Sequence, residues 1–384
     1  MQNVGGSLGY EQEMTSNPFL FRGPLEPTQM IDRDSEADAI LADLSGGHWI
    51  RLVGPRRYGK TTLLKRVLAD AEREGSATAL VDLEDVGTLG DIVVRIERAY
   101  NKSLKGKLRR LVEDLFASWG LGVSLGAGGF SLHLQSNPSA KTEGVLVRIL
   151  ELPAELHRRT GKHSIIVFDE VQDLLRVERA DGILRSVIQH QGDVAAYAFA
   201  GSAPGLVEQL FSQPRRPLLE QAVPMQLDPL DPGDVAAYVR QRFEQTGRDA
   251  GEALAPLVEF SRGHPQRSML LAHHLWRRTP AGGEAEAGTW VAARDDALAD
   301  SQEFLRATWR GLPVNEQKMA LALARRPPAL HHQATLDAVG LKKGSVMRAV
   351  EGLLARGDAI PAQGGVPRLT DPLVEHWLAA RTRA

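Results

Sequence analysis

Apolar positions along this chain fall into two rhythms. Short, almost wholly apolar runs predict buried strands at residues 48–53, 77–83, 164–168 and 194–200, with a shorter one at 222–227. Between them the spacing lengthens to that of a helix. Leu63, Leu64, Val67, Leu68 and Ala71 share one face, and Leu174, Leu175, Ile183, Leu184, Val187 and Ile188 predict a helix over 173–189. Strands alternating with helices predict a parallel sheet covered on both faces. An insertion interrupts the rhythm between the second and third strands. Its first part is a helical stripe (Leu104, Leu108, Leu111, Val112, Leu115) edged by Lys102, Lys105, Lys107, Arg109 and Arg110. That basic edge reads as a solvated face or as a surface for an acidic partner. Alternation about a Gly-rich centre then predicts a β-hairpin near 121–135.

Beyond residue 228 the pattern is helical through 278, opening at Asp231-Pro232, a capping residue before a helix-compatible proline. Residues 280–289 read as a loop. The last stretch changes character: helices at 315–323, 333–339 and 345–356 precede two short strands around Gly364-Gly365, the order of a winged helix-turn-helix. On its third helix Val346, Met347, Val350, Leu353 and Leu354 are expected to face the core, and Ser345, Arg348, Gly352 and Arg356 to face outward. The expected division is an irregular segment 1–28, punctuated by Gly5, Gly6, Pro18, Pro24 and Pro27, then an α/β core 29–228, a helical region 229–310 and a winged unit 311–384.

Composition changes this picture in few places. With 384 residues the chain is too long for one ordinary core. A net charge of −2 gives no global basic field, so nucleic acid could be held only by a local patch. Lys and Arg do outnumber Asp and Glu over 311–384, where Lys342, Lys343, Arg348, Arg356 and Arg368 are candidate contacts to duplex DNA. No Asn or Gln stands on the outward face of the third helix to pair with adenine, so base readout is not expected. Absence of cysteine excludes disulfides, thiolate–zinc sites and cysteine nucleophiles. No apolar run suggests a signal peptide or a membrane span, and the expected location is the cytoplasm.

Residues 54–61, Gly-Pro-Arg-Arg-Tyr-Gly-Lys-Thr, match G-x-x-x-x-G-K-[ST] at every position, between a strand and a helix. Gly54 and Gly59 let the backbone wrap so that the amides of Pro55 to Thr62 (Pro55 excepted, which has none) surround a phosphate, and the helix N-terminus adds positive potential. Arg56, Arg57 and Tyr58 fill the variable positions. Lys60 suits the terminal phosphates and Thr61 suits Mg²⁺. The run 164–168 ends in Asp169-Glu170: Asp169 is a magnesium ligand candidate and Glu170 the candidate base for an attacking water. Ser202, after the run 194–200, is either a polarising contact at the terminal phosphate or a helix cap. These residues point to a nucleoside triphosphate. His264 is expected to face solvent, and His273-His274 and His331-His332 lack the spacing of a helical metal pair.

Taken together, these motifs resemble an AAA+-type P-loop ATPase, and more closely the archaeal-ATPase-like branch of the STAND class. Ile31-Asp-Arg-Asp-Ser-Glu36 resembles the element that borders the nucleotide base, with Arg33 in its motif place and Asp32 where the family usually has glycine. Gly263-His-Pro265 matches the lid motif, and Arg267 stands where related proteins carry an arginine that reads the γ-phosphate. Asp371-Pro-Leu-Val-Glu-His-Trp377 resembles the closing helix. The resemblance implies a P-loop NTPase core with strand order 5-1-4-3-2, a helical lid, ATP as ligand and a nucleotide-controlled switch. It also implies Pro265 beside the nucleotide, and Arg215 or Arg216 as a finger toward a neighbouring subunit in an ATP-state homo-oligomer, although STAND proteins commonly do without one and 211–217 reads equally as an exposed loop. Three functions follow: a switch acting on a protein partner, a DNA-associated ATPase, or a nucleotide-binding scaffold with negligible turnover.

Overall fold

The computed structural model describes residues 16–23, 25–118, 122–126, 129–133, 138–330, 332–362 and 365–381. Gly5, Gly6, Pro24, His331 and Gly364, and parts of the hairpin segment, lie outside them. The chain divides into a sheet unit, residues 33–54 and 60–227, and a helical unit, residues 1–32, 55–59 and 228–384.

In the sheet unit, β1 (Ile50–Val53), β2 (Ala77–Asp82), β3 (Gly122–Gly126), β4 (Gly129–His133), β5 (Ser164–Asp169), β6 (Ala195–Gly201) and β7 (Val223–Gln226) follow the expected positions closely. Five of them form a parallel sheet in the order β2-β5-β6-β1-β7. Counted along the chain, that is the 5-1-4-3-2 order the resemblance implied. β5 and β6 lie between neighbours and are buried at every position, which explains why they read as continuous apolar runs. β7 sits on the edge, where Pro224 costs no ladder bond on its outer side. β3 and β4 form the expected antiparallel hairpin, Gly122 opposite His133 and Gly126 opposite Gly129.

The helix expected over 173–189 is broken. Val171–Arg176 is a 3₁₀ turn, Arg179 takes a left-handed φ of 64°, and the α-helix runs only from Ala180 to Ile188. The cause is phase. Leu174 and Ile183 are nine residues apart, which in one helix is roughly 900°, opposite faces. The break lets both join the core, 3% and 6% exposed.

In the helical unit, Asp231 caps the helix Pro232–Gln245 through Gly233 N at 2.7 Å. The helices Leu254–Ser261, Pro265–Arg278, Ala287–Asp300 and Gln302–Gly311 follow. Part of the N-terminal segment belongs to this unit: Phe19 is fully buried 5.6 Å from the Phe243 ring, and Asn17 donates to the His273 carbonyl. The last elements are the helices Val314–Ala324, Gln333–Val339 and Lys343–Ala355, an antiparallel pair β8 (Ala359–Ile360) and β9 (Arg368–Leu369), and the helix Pro372–Arg381. Two assignments on Lys343–Ala355 need correction. Met347 is exposed, because Val346, Ala349, Val350 and Leu353 already complete the inward stripe. Gly352 does not face open solvent: a Cβ there would stand 2.4 Å from Glu316 Oε1. Among the described residues, no helix is long and apolar enough to cross a membrane.

Candidate active site

The phosphate loop is shaped by its glycines. A Cβ on Gly54 would sit 3.1 Å from Leu227 Cβ and 3.2 Å from its carbonyl oxygen, so β1 and the chain after β7 approach only at glycine. Gly59 takes φ 86° just before the helix Lys60–Arg73. Arg57 takes φ 66°, a left-handed conformation that a side chain rarely adopts. Lys60 is buried and reaches back along the loop to donate from Nζ to the Gly54 carbonyl at 2.8 Å. Thr62 is also buried, while Thr61 is half-exposed at the start of the helix.

β5 delivers the acids. Thr61 Oγ1 donates to Asp169 Oδ2 at 2.5 Å, and the Glu170 amide donates to Asp169 Oδ1 at 3.0 Å. Burial raises the Asp169 carboxyl above its ordinary value; the Thr61 bond and Lys60 oppose that, and the neighbouring Glu170 adds to it. Glu170 leaves the strand in a left-handed conformation, φ 51°. Its Oε2 accepts from Ser202 Oγ at 2.7 Å and from Gln172 Nε2 at 2.6 Å. The helix Pro204–Ser212 is capped at Ala203 without a side-chain bond, so the Ser202 hydroxyl goes to the carboxylate. Gln172 carried no motif signal. Its trace in the sequence is Gly201: a Cβ there would meet Val207 at 2.3 Å and Gln172 Oε1 at 2.6 Å.

These residues fit a magnesium–triphosphate ligand. Two cis ligands of an octahedral magnesium stand about 2.9 Å apart. Thr61 Oγ1 and Asp169 Oδ2 already converge to 2.5 Å. A buried carboxylate with a raised pKa is a group that a cation would relieve.

The loop tip, residues 55–59, groups with the helical unit. Arg57 stacks 3.8 Å from the centre of the Phe304 ring, and Arg267 lies 4.9 Å from the same ring. Arg267 is 2% exposed; its Nε donates to both Asp371 oxygens at 3.0 and 2.9 Å, and its Nη2 also bonds Asp371. Burial alone would raise the Asp371 carboxyl, but the charge and hydrogen bonds of Arg267 outweigh it and hold it below its usual value. His264 corrects the expectation of a solvent-facing side chain. It is 2% exposed, packs edge-on to Tyr58 at 5.0 Å, and accepts from the Arg267 amide. Preceding a proline at the first helical position, it is the helix N-cap. Burial chiefly, with Arg267 and Arg57 adding and Asp371 opposing, lowers its pKa to about 3. Gly263 has φ 70° and its missing Cβ would stand 2.2 Å from the Leu230 carbonyl oxygen, while Pro265 is half-buried.

The remaining candidates separate by their partners. Arg33 has φ 88°, is 5% exposed and bonds Glu36 at 2.6 Å; Asp32 before it has φ 46°, a backbone where glycine would be unstrained. Arg216 pairs with Asp181 at 3.0 Å, whereas Arg215 is exposed. Lys342, Lys343 and Arg348 are exposed, Arg368 is half-buried, and Arg356 is bonded to both Glu316 and Asp358.

Residues 44–210 match the family model described as AAA domain. The structure is similar to the Walker-type ATPase of Pyrococcus abyssi, with TM-score 0.70 and 16% identity over 94% of this chain and 99% of that one. It is also similar to the ORC2 protein of Aeropyrum pernix solved as ADPNP–ADP complexes, with TM-score 0.59 and 16% identity over 95% and 98%. At such identity the likeness is one of fold. Comparison with curated proteins gave no match. With its phosphate loop, its sheet order and its likeness to these structures, this chain has a P-loop NTPase fold of the AAA+ type, and its residues 44–210 are similar to an AAA domain.

Proposed function

We propose that this chain binds ATP with Mg²⁺, hydrolyses it slowly, and uses its nucleotide state as a STAND-type switch acting on a partner or on its own assembly. The observation that carries the reading is the approach of Thr61 Oγ1 to Asp169 Oδ2 at 2.5 Å, with Glu170 next along the chain. Thr61 and Asp169 would hold the magnesium, which when bound neutralises charge on the phosphates. Lys60 and the amides of the loop hold the phosphate tail. Glu170, oriented by Ser202 and Gln172, accepts the proton of the attacking water. Arg33 and Pro265 border the nucleoside, and Arg267 reads the terminal phosphate. The adenine nucleotides bound by the Aeropyrum pernix protein support ATP as the ligand.

Arg215 is the better candidate for a finger toward a second copy, since Arg216 is engaged by Asp181. A second reading, contact with duplex DNA through a C-terminal winged helix, is favoured by one observation. Lys342, Lys343 and Arg348 stand exposed at the start of one helix. Arg356, bonded to two carboxylates, is a weaker member of that set.

The test is calorimetric titration with Mg·ATP. The intact chain is expected to bind, and Lys60→Ala to bind at least roughly 100-fold more weakly, the scale of one lost charged contact to a phosphate. Equal affinity in the two proteins would overturn the reading.

A further inference from the structure

Arg267 and Asp371 are 104 residues apart in the chain and form a multidentate pair. Each has a second tie. Asp371 caps the helix Pro372–Arg381, accepting from Leu373 N at 2.9 Å and Val374 N at 3.4 Å. Arg267 leans on the Phe304 ring that also carries Arg57 of the phosphate loop. Two guanidiniums therefore lie against one aromatic ring, and it is that of Arg267 that bonds Asp371. Four residues on, in the same helix, Glu375 accepts from Arg262 at 2.7 Å and from Arg326 at 3.0 Å.

We propose that Asp371 is a specificity-determining residue: it occupies the guanidinium of Arg267 in the manner of a terminal phosphate, and a nucleoside triphosphate must displace it, whereas a diphosphate need not. This rests on the reading of Arg267 given above. The chemistry of the exchange is matched. A guanidinium presents the same planar fork to a carboxylate and to a phosphate, so one anion replaces the other without leaving the buried cation unpaired. A buried arginine does not leave its carboxylate for water, because an unpaired buried charge is strongly disfavoured. Only another anion releases it. Asp371, once released, is still held by two helix amides and by the positive end of that helix. The Pro372–Arg381 helix then loses one of its anchors, so the presence of a third phosphate is relayed to the C-terminal elements. Arg57, in the loop tip 55–59 that groups with the helical unit, shares the Phe304 ring with Arg267.

The test compares Mg·ADP with a slowly hydrolysed Mg·ATP analogue on the full chain, intact and as Asp371→Asn. The asparagine keeps the shape and the capping oxygen and removes the competing charge. The analogue is expected to bind the variant about tenfold more tightly than the intact chain, the worth of one charge-assisted bond, with ADP unchanged within about twofold. An equal shift for both nucleotides, or none, overturns the proposal, since a purely structural role would move both alike. Should the variant fold poorly, amide exchange on the intact chain decides. Faster exchange across 372–381 with the analogue than with ADP supports the competition, and identical exchange overturns it. If the intact chain binds neither nucleotide, the reading of the whole site falls with the proposal; if it binds both and Asp371→Asn changes nothing, the proposal alone falls.

Discussion

The acids at the end of β5 and the Arg267–Asp371 pair handle buried charge in opposite ways. At β5, Asp169 and Glu170 are adjacent anions held by hydroxyl, amide and backbone donors, with Lys60 the cation that acts on Asp169. The arrangement suits a cation of higher charge, since burial already raises the Asp169 carboxyl. Around Arg267, by contrast, each charge is answered within the protein: guanidinium to carboxylate, carboxylate to helix amides, and a neutral His264 packed alongside. A site of the first kind accepts a ligand with little disruption. One of the second kind accepts a ligand only by exchange. On the proposed account, a chain with both has one place to hold a nucleotide and another to report which nucleotide it is.

Three measurements would break or sharpen this contrast. The largest effect is expected from Arg267→Met, which strands the Asp371 carboxylate. Urea unfolding should show a loss of about 3–5 kcal/mol, and Arg267→Met with Asp371→Leu should recover at least half of it. Additive losses would mean that the two residues are not coupled. Next is the pH dependence contributed by His264. Its folded pKa is about 3 against an ordinary 6.5, so the unfolded chain takes up the proton first. The stability owed to neutral His264 is therefore complete above pH 6.5 and lost as pH falls toward 3, about 2 kcal/mol by pH 5. His264→Gln should flatten that part of the profile; an unchanged slope would place the histidine elsewhere. The smallest effect on stability is expected from Ser202→Ala, about 1 kcal/mol or less, since Glu170 keeps Gln172 as a partner. Turnover should nonetheless fall, because the orientation of the base depends on both donors. A large stability loss with unchanged turnover would reverse the assignment.

The same contrast governs what is legible in the sequence. The strands around the sheet and the phosphate loop are contiguous in sequence, and their periods and spacings announce them. Asp169 and Glu170 were visible because one strand carries them to its end. Nothing local joins Arg267 to Asp371, or Ser202 to Glu170; those contacts exist only after the chain has folded back on itself. His264 was a different kind of miss, since a residue before a proline that opens a helix has the position of a cap and a reason to be buried. The break at Arg179 was also readable in hindsight of phase alone, because a nine-residue interval cannot keep Leu174 and Ile183 on one helical face. Met347 misled because its hydrophobicity outweighed its angular place, one step off the stripe of Val346, Val350 and Leu353.

The most direct test of the account is single-turnover hydrolysis of Mg·ATP by Glu170→Gln beside the intact chain. The expected result is retained ATP binding with the hydrolytic step slowed by roughly 10²-fold or more, the share of a positioned general base. Turnover at the intact rate would contradict the assignment of Glu170, and with it the chemistry given to the edge of β5.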